Sequence, residues 1–282
     1  MFLELKNVHF SYMKGTKIEK PALKGINLSI KEGEIIGIVG PTGSGKSTLV
    51  QHLNGLLQPD KGKVYVKGKA VGETIRPGRI RKDIGLVFQF PERQFFEETV
   101  FDEVAFGAKN TGLSGEKLVN RVSLSLSMVA LDHSRIRDRS PFSLSGGEMR
   151  RVAIASVLAM NPEVLILDEP TSGLDAKSRE ELIKSIKMLQ RENNLTVIWI
   201  SHEIDEIAAI AERIIVINEG EIVLDDSPEK IFAHADDLKR MGLGIPQITL
   251  LMMELALKGH SVPSSIFKPE EAKKALLSYF KA

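Results

Sequence analysis

A mostly parallel α/β sheet with a small, mainly helical C-terminal domain is the fold that the sequence predicts. Three observations carry it. Glu34–Val39, Val164–Leu167 and Leu195–Ile200 are short, nearly continuous apolar runs, the pattern of strands buried on both faces. Met149–Ala159 and Ser178–Leu189, between two of these runs and the next, carry helical periodicity, and strand–helix alternation builds a layered α/β domain. Beyond Asp226 the pattern turns helical.

Taken in order, Phe2, Leu3, Leu5 and Val8 form a partly alternating run that ends near Tyr12, and Ile26, Leu28 and Ile30 alternate with Asn27 and Ser29. Both read as half-buried strands facing one core. A boundary falls at Asp225-Asp226-Ser227-Pro228, so residues 1–226 form the main domain and 227–282 an extension. Ser227 is expected to cap a helix whose first residue is Pro228. Ile248, Leu251, Met252 and Leu255 recur at helical spacing, and Leu250, Met253 and Leu257 add a second apolar face. That helix is expected to be buried on most sides. A last helix starts at Pro269, with Ala272, Ala275, Leu276, Tyr279 and Phe280 as its stripe. So short an extension cannot bury this much apolar surface alone. It is expected to pack on the main domain or on another subunit.

Composition narrows the function classes. The 282 residues are 43% hydrophobic and 27% charged, which excludes a disordered or collagen-like chain. No uninterrupted apolar run reaches the roughly 18 residues of a membrane-spanning helix. Thirty-eight Lys and Arg stand against 37 Asp and Glu, so there is no general pull toward nucleic acid. With no cysteine, disulfides, thiolate zinc sites and a cysteine nucleophile are excluded. The opening residues show no signal-peptide pattern, and a cytosolic compartment is the expectation.

The chemistry lies at the ends of the apolar runs. Gly40-Pro41-Thr42-Gly43-Ser44-Gly45-Lys46-Ser47 directly follows the first run and precedes a helical segment opening at Thr48. Glycines let backbone N–H groups turn inward around an anion, and the helix N-terminus adds partial positive charge. Lys46 can reach β- and γ-phosphates, and Ser47 can offer a hydroxyl to Mg²⁺. The second run ends in Asp168 and Glu169. Alone, this pair reads as a solvated acidic turn. Beside a phosphate cradle it reads as a metal carboxylate and a base at the ligand-binding edge of a parallel sheet. The third run ends near His202, which alone reads as a cap and in this setting as a donor to a γ-phosphate. Ser145, Gly146 and Gly147 open another helix and form a second anion site.

These motifs, in this order, make the chain resemble the ATP-binding subunits of ABC transporters over about residues 1–225. Gly40 to Ser47 matches the Walker A motif, Val164 to Asp168 followed by Glu169 the Walker B motif, and Leu144-Ser145-Gly146-Gly147-Glu148 the LSGGQ signature. Gln89 matches the Q-loop, Ser172-Gly173-Leu174-Asp175 the D-loop and His202 the switch histidine. The resemblance implies a P-loop NTPase (RecA-like) core with an antiparallel β subdomain and a helical signature subdomain. It implies ATP and Mg²⁺ as ligands. Tyr12 would lie against adenine, the Walker A residues Gly40 through Thr48 would hold the phosphates, and Ser47, Gln89 and Asp168 would serve the metal. Glu169 and His202 would orient the attacking water, Lys46 would offset phosphate charge, and Gln89 would couple the site to a partner. Two such domains would meet head to tail, with Ser145, Gly146 and Gly147 of one holding the γ-phosphate on the other. The signature departs from the family in ending with Glu148, a carboxylate that would be tolerated near a nucleotide if it points at ribose or solvent.

The stretch from Phe90-Pro91-Glu92 through Thr99-Val100 to Val104-Ala105-Phe106-Gly107 resembles the energy-coupling factor (ECF) transporters and cobalt or nickel importers, as does the C-terminal piece from Ser227. This implies a peripheral ATPase on the cytoplasmic face of the membrane, powering micronutrient uptake. Its partners would be a second ATPase subunit, identical or merely similar, a membrane T component and a substrate-binding membrane S component, with no nucleic acid. In that family the C-terminal extension helps hold two ATPase subunits together. Phe95, Phe96 and Phe101 are either core or part of a groove for a membrane subunit. Glu92, Glu97 and Glu98 are either a solvated face or the acidic lining of that groove, with Glu92 or Glu98 pairing an arginine of the partner. A conventional ABC transporter ATPase and a non-transport ABC protein are the rival readings.

Overall fold

The computed structural model describes residues 2–263 and 265–281. Its strands are β1 (Leu3–Tyr12), β2 (Lys20–Ile30), β3 (Ile35–Val39), β4 (Lys61–Val66), β5 (Lys69–Ala70), β6 (Ile84–Val87), β7 (Val164–Asp168), β8 (Thr196–Ile200), β9 (Arg213–Asn218) and β10 (Glu221–Asp226). One sheet has the order β2-β1-β4-β5 and is antiparallel. The other runs β10-β9-β3-β8-β7-β6, parallel throughout except for β10 at its edge.

The apolar runs of the sequence are the centre of this second sheet, and each serves two cores at once. Side chains alternate across a strand. Val164 and Ile166 of β7, with Ile198 and Ile200 of β8, join the core under the antiparallel sheet, while Leu165, Leu167, Val197 and Trp199 join the core under the helices. Burial on both faces is why polar residues are nearly absent from them; Thr196, which opens β8, is buried with its hydroxyl accepting the Gly33 N–H at 2.9 Å. At Gly37 of β3 an added Cβ would come within 2.7 Å of Ile207, so glycine lets the helix Ile204–Ile210 lie directly on the sheet.

A helical block fills residues 100–158, with Val100–Asn110, Gly115–Met128 and Gly146–Leu158 as its long helices. Strand β10 ends at Asp226 and the mainly helical extension follows. Ser227 stands at the N-cap with Pro228 behind it, yet its side chain makes no capping bond; its own N–H donates to Asp226 Oδ1 at 2.7 Å. Ile231, Phe232, Leu238, Leu243, Ile245 and Phe267 continue the core under the helices, so the extension packs on the main domain.

The expectation for the next helix, Gln247–Leu257, is overturned. Only Thr249 and Met252 are buried; Leu250 and Leu251 are exposed, and Leu257 is 86% exposed. Apolar residues on two faces state that a helix wants cover, and this chain supplies it on one side only. The last helix, Pro269–Lys281, begins as expected. Ala272 is buried, but Phe280 is 76% exposed and falls off the stripe. Among the described residues no helix is long and apolar enough to cross a membrane.

Candidate active site

Strand β3 delivers the chain into the loop Gly40–Gly45, and the helix Lys46–Leu53 leaves it. Two glycines here have no substitute. A Cβ on Gly40 would run into the Ile217 carbonyl oxygen, and Gly45 combines φ 109° with the Ala22 carbonyl oxygen 2.6 Å from any Cβ. Lys46 Nζ donates to the carbonyl oxygens of Gly40 (2.7 Å) and Pro41 (2.9 Å), which folds its charge across the loop mouth. Burial lowers its pKa, while Glu169 and Asp168 work the other way.

Asp168 closes β7 and is buried, and Ser47 Oγ donates to its Oδ2 at 3.0 Å. Burial pushes the Asp168 carboxyl upward, against the Ser47 hydrogen bond and the Lys46 charge. Glu169 takes left-handed backbone, φ 51°, an uncommon state for a residue with a side chain. There its carboxylate meets the end of β8: the His202 N–H donates to Oε1 at 3.0 Å, and His202 Nδ1 lies 2.8 Å from Oε2. Burial raises the Glu169 pKa, with the His202 hydrogen bond opposing. That same hydrogen bond raises the pKa of His202, whose side chain is 62% exposed.

One cavity of about 570 Å³ gathers these groups: Gly40 to Gly43, Lys46, Ser47, Gln89, Asp168, Glu169 and His202 all line it. Gln89 reaches it from just past β6. A cleft sharing Gly43, Lys46 and Ser47 is lined by Gly45, Thr48 and Tyr12. The Tyr12 hydroxyl lies 3.0 Å from Thr48 Oγ1, and its ring stands edge-on to Phe10 at 5.0 Å. It is 40% exposed, which leaves ring surface free for a flat ligand. The Ser47 hydroxyl, the Asp168 carboxylate and the Gln89 amide are hard oxygen donors suited to Mg²⁺. Among the described residues no cluster of three or more His, Asp or Glu forms, so such an ion would draw its other ligands from phosphate and water.

Ser145, Gly146 and Gly147 do not line this cavity. They open the helix Gly146–Leu158, where Ser145 and Glu148 form a capping box. Glu148 accepts from the Ser145 N–H at 2.9 Å and from its Oγ at 2.8 Å, so the partly exposed carboxylate is tied to the helix start. The Ser145 hydrogen bonds hold its pKa below the usual carboxylate value. Within one chain, then, the two anion-binding ends stay apart.

Several structurally engaged residues have no signature in the sequence. Glu206, buried on the helix Ile204–Ile210, accepts from Thr171 Oγ1 at 2.6 Å and Ser201 Oγ at 3.1 Å, with Arg179 Nε at 3.1 Å. It joins the segment after Glu169 to the residue before His202. Glu206→Ala strands these donors, and a loss of about 2–4 kcal/mol in unfolding free energy is expected in urea titration. Arg150 is buried on the signature helix. It donates to the Ser172 carbonyl at 3.2 Å and sits 3.6 Å from Glu92, so Glu92 faces an arginine of its own chain. Phe95 is buried and Phe101 half-buried against the core, whereas Phe96 is 59% exposed and packs edge-on against Phe106. The contacts of Glu206, and of Arg150 with Glu92, arise only where the topology brings distant segments together.

Comparison with known proteins places this geometry. Residues 23–172 match the family model described as ABC transporter. The chain is 47% identical over 281 residues to the energy-coupling factor transporter ATP-binding protein EcfA2 of Clostridium tetani, covering 99% of this chain and 98% of that one. It is likewise 47% identical to the protein of the same name from Caldanaerobacter subterraneus, covering 100% and 98%. Among solved structures, cbiO1 from Clostridium perfringens, part of the ABC transporter complex cbiONQ, is similar with a TM-score of 0.75 and 37% identity, over 85% of this chain and 93% of that one. A dimeric ATP-binding cassette in a post-hydrolysis state with ADP and Pi gives 0.72 and 35%, over 80% and 98%.

Proposed function

The chain belongs to the ABC transporter ATP-binding family, and from that premise we propose that it is the ATP-hydrolysing subunit of an energy-coupling factor importer. The observation that carries the reading is a single cavity in which a phosphate loop, its lysine, a buried aspartate and a glutamate–histidine pair converge.

In the proposed reaction, ATP lays its phosphates along Gly40–Ser47, with adenine against Tyr12. Water attacks the γ-phosphorus in line and the bond to the β-phosphate oxygen breaks, giving ADP and phosphate. Glu169 takes the proton of that water, and His202 holds the Glu169 carboxylate in place through its N–H and its ring. Lys46 swings from its loop carbonyls to the β- and γ-oxygens and offsets their charge. Ser47, Asp168 and Gln89 would hold Mg²⁺, which supplies further charge neutralisation on the phosphates. The Ser145–Gly147 helix end, which does not line this cavity, would complete the site across a dimer by offering its N–H groups to the γ-phosphate.

The C-terminal extension supports an assembled state: Leu250, Leu251 and Leu257 present an apolar face that a second ATPase subunit would cover. A membrane T component and an S component complete the assembly and keep this chain peripheral on the cytoplasmic face. Co-purification tests the assignment. The tagged full-length chain, expressed with its neighbouring genes, should come out of detergent-solubilised membranes with a second ATPase and small membrane proteins. Recovery with two large permease subunits of another type, or with ribosomes or DNA, would overturn the transporter branch.

A further inference from the structure

The cavity at Lys46 has a wall that the ATPase motifs do not supply. Gly242, Leu243 and Gly244, from the C-terminal extension of the same chain, line it together with Glu169 and His202. This loop is built in. The N–H groups of Gly242 and Leu243 donate to the carbonyls of Lys239 and Leu238, both at 2.9 Å, closing the helix Ala235–Arg240, and Leu243 and Ile245 bury their side chains in the core under the helices.

The loop then grips the element that carries His202. The helix Ile204–Ile210 begins two residues after His202, and its N-cap, Glu203, makes no side-chain capping bond. Its first turn is tied on one side to the main domain, through Glu206 with Thr171, Ser201 and Arg179, and on the other it meets the extension. A Cβ on Gly244 would touch Ile204 at 3.9 Å, and Asp205 Oδ1 accepts the backbone N–H of Gln247 at 3.0 Å. Gln247 is the first residue of the helix Gln247–Leu257, so Asp205 satisfies one of that helix's orphan donors. The middle and far end of the Ile204–Ile210 helix lie on the sheet, with Ile207 and Ala211 against Gly37. Its first turn, just past His202, is therefore held by the extension through Asp205 as well as by the main domain through Glu206.

We infer that residues 242–247 are positioning elements of the catalytic site, walling the cavity and, through Asp205, keeping His202 on Glu169. The inference rests on the ATPase reading above and extends the catalytic machinery into the C-terminal extension.

Two variants cut the link from opposite sides. Asp205→Ala removes the acceptor. Gln247→Pro removes the donor, at a first helical position where proline's missing N–H and preset φ are tolerated, after a residue already extended at ψ 137°. Assayed as the full chain in its co-purified assembly, each should lower kcat about fivefold, the loss of one hydrogen bond, with KM for ATP unchanged. Asp205→Asn, whose amide oxygen takes the same N–H, should keep wild-type kcat. In a His202→Ala background neither variant should lower kcat further. Unchanged kcat in both variants while His202→Ala is impaired would overturn the inference and leave the ATPase reading standing. So would a fall that persists without His202, or one that tracks loss of the assembly by light scattering. Full activity in His202→Ala would remove the histidine's role and this inference with it.

Discussion

Glu169→Gln leaves nucleotide binding intact and slows ATP turnover by about 100-fold or more, the range for a lost general base. The amide keeps the size of the carboxylate and can still accept the His202 N–H now at 3.0 Å. Lys46, Ser47 and Asp168 are untouched, so the phosphates and the metal keep their partners. The proton of the attacking water has nowhere to go. Two features make Glu169 the base in preference to Asp168. Asp168 already accepts the Ser47 hydroxyl, and Glu169 is held in left-handed backbone that aims it at His202. Single-turnover phosphate release and equilibrium binding of a fluorescent ATP analogue separate the two effects. Turnover at the normal rate would exclude Glu169 as the base.

Lys46→Ala acts one step earlier, on binding. The ammonium has two loop carbonyls as its resting partners, at 2.7 and 2.9 Å, and exchanges them for phosphate oxygens. Hydrogen bonds to charged groups contribute about 1.5–3 kcal/mol, so affinity for ATP should fall roughly 10- to 100-fold. The loop itself should survive, because its geometry is set by Gly40 and Gly45 and not by the lysine. Unchanged affinity by isothermal titration would contradict the placement of the phosphates.

How much of this was legible in the sequence follows from what is local. The phosphate loop, the Asp168–Glu169 strand end and the helix starting at Pro269 are written in contiguous residues, and they stand where the sequence puts them. The apolar runs were legible because a strand buried on both faces leaves little room for a polar residue. The Glu206 network was not. Thr171, Ser201 and Glu206 become neighbours only because β7 and β8 lie side by side in the sheet. The Glu92–Arg150 pair was not legible for the same reason, since the arginine lies on the signature helix, 58 positions along the chain. The helix Gln247–Leu257 failed differently. Its two apolar faces carry the demand for burial but not the identity of the surface that meets it. The role of Gly242–Gly244 had no sequence signal, because ordinary loop residues acquire it only by lying across the cavity mouth.

ATP-driven uptake tests the central claim most directly. The co-purified assembly is reconstituted into liposomes, with ATP supplied on the side that carries this chain, and accumulation of the compound bound by its membrane subunit is followed. The account predicts uptake that requires ATP, is not supported by a non-hydrolysable analogue and is abolished by Glu169→Gln. ATP hydrolysis without any ATP-dependent uptake by the complete assembly would contradict it.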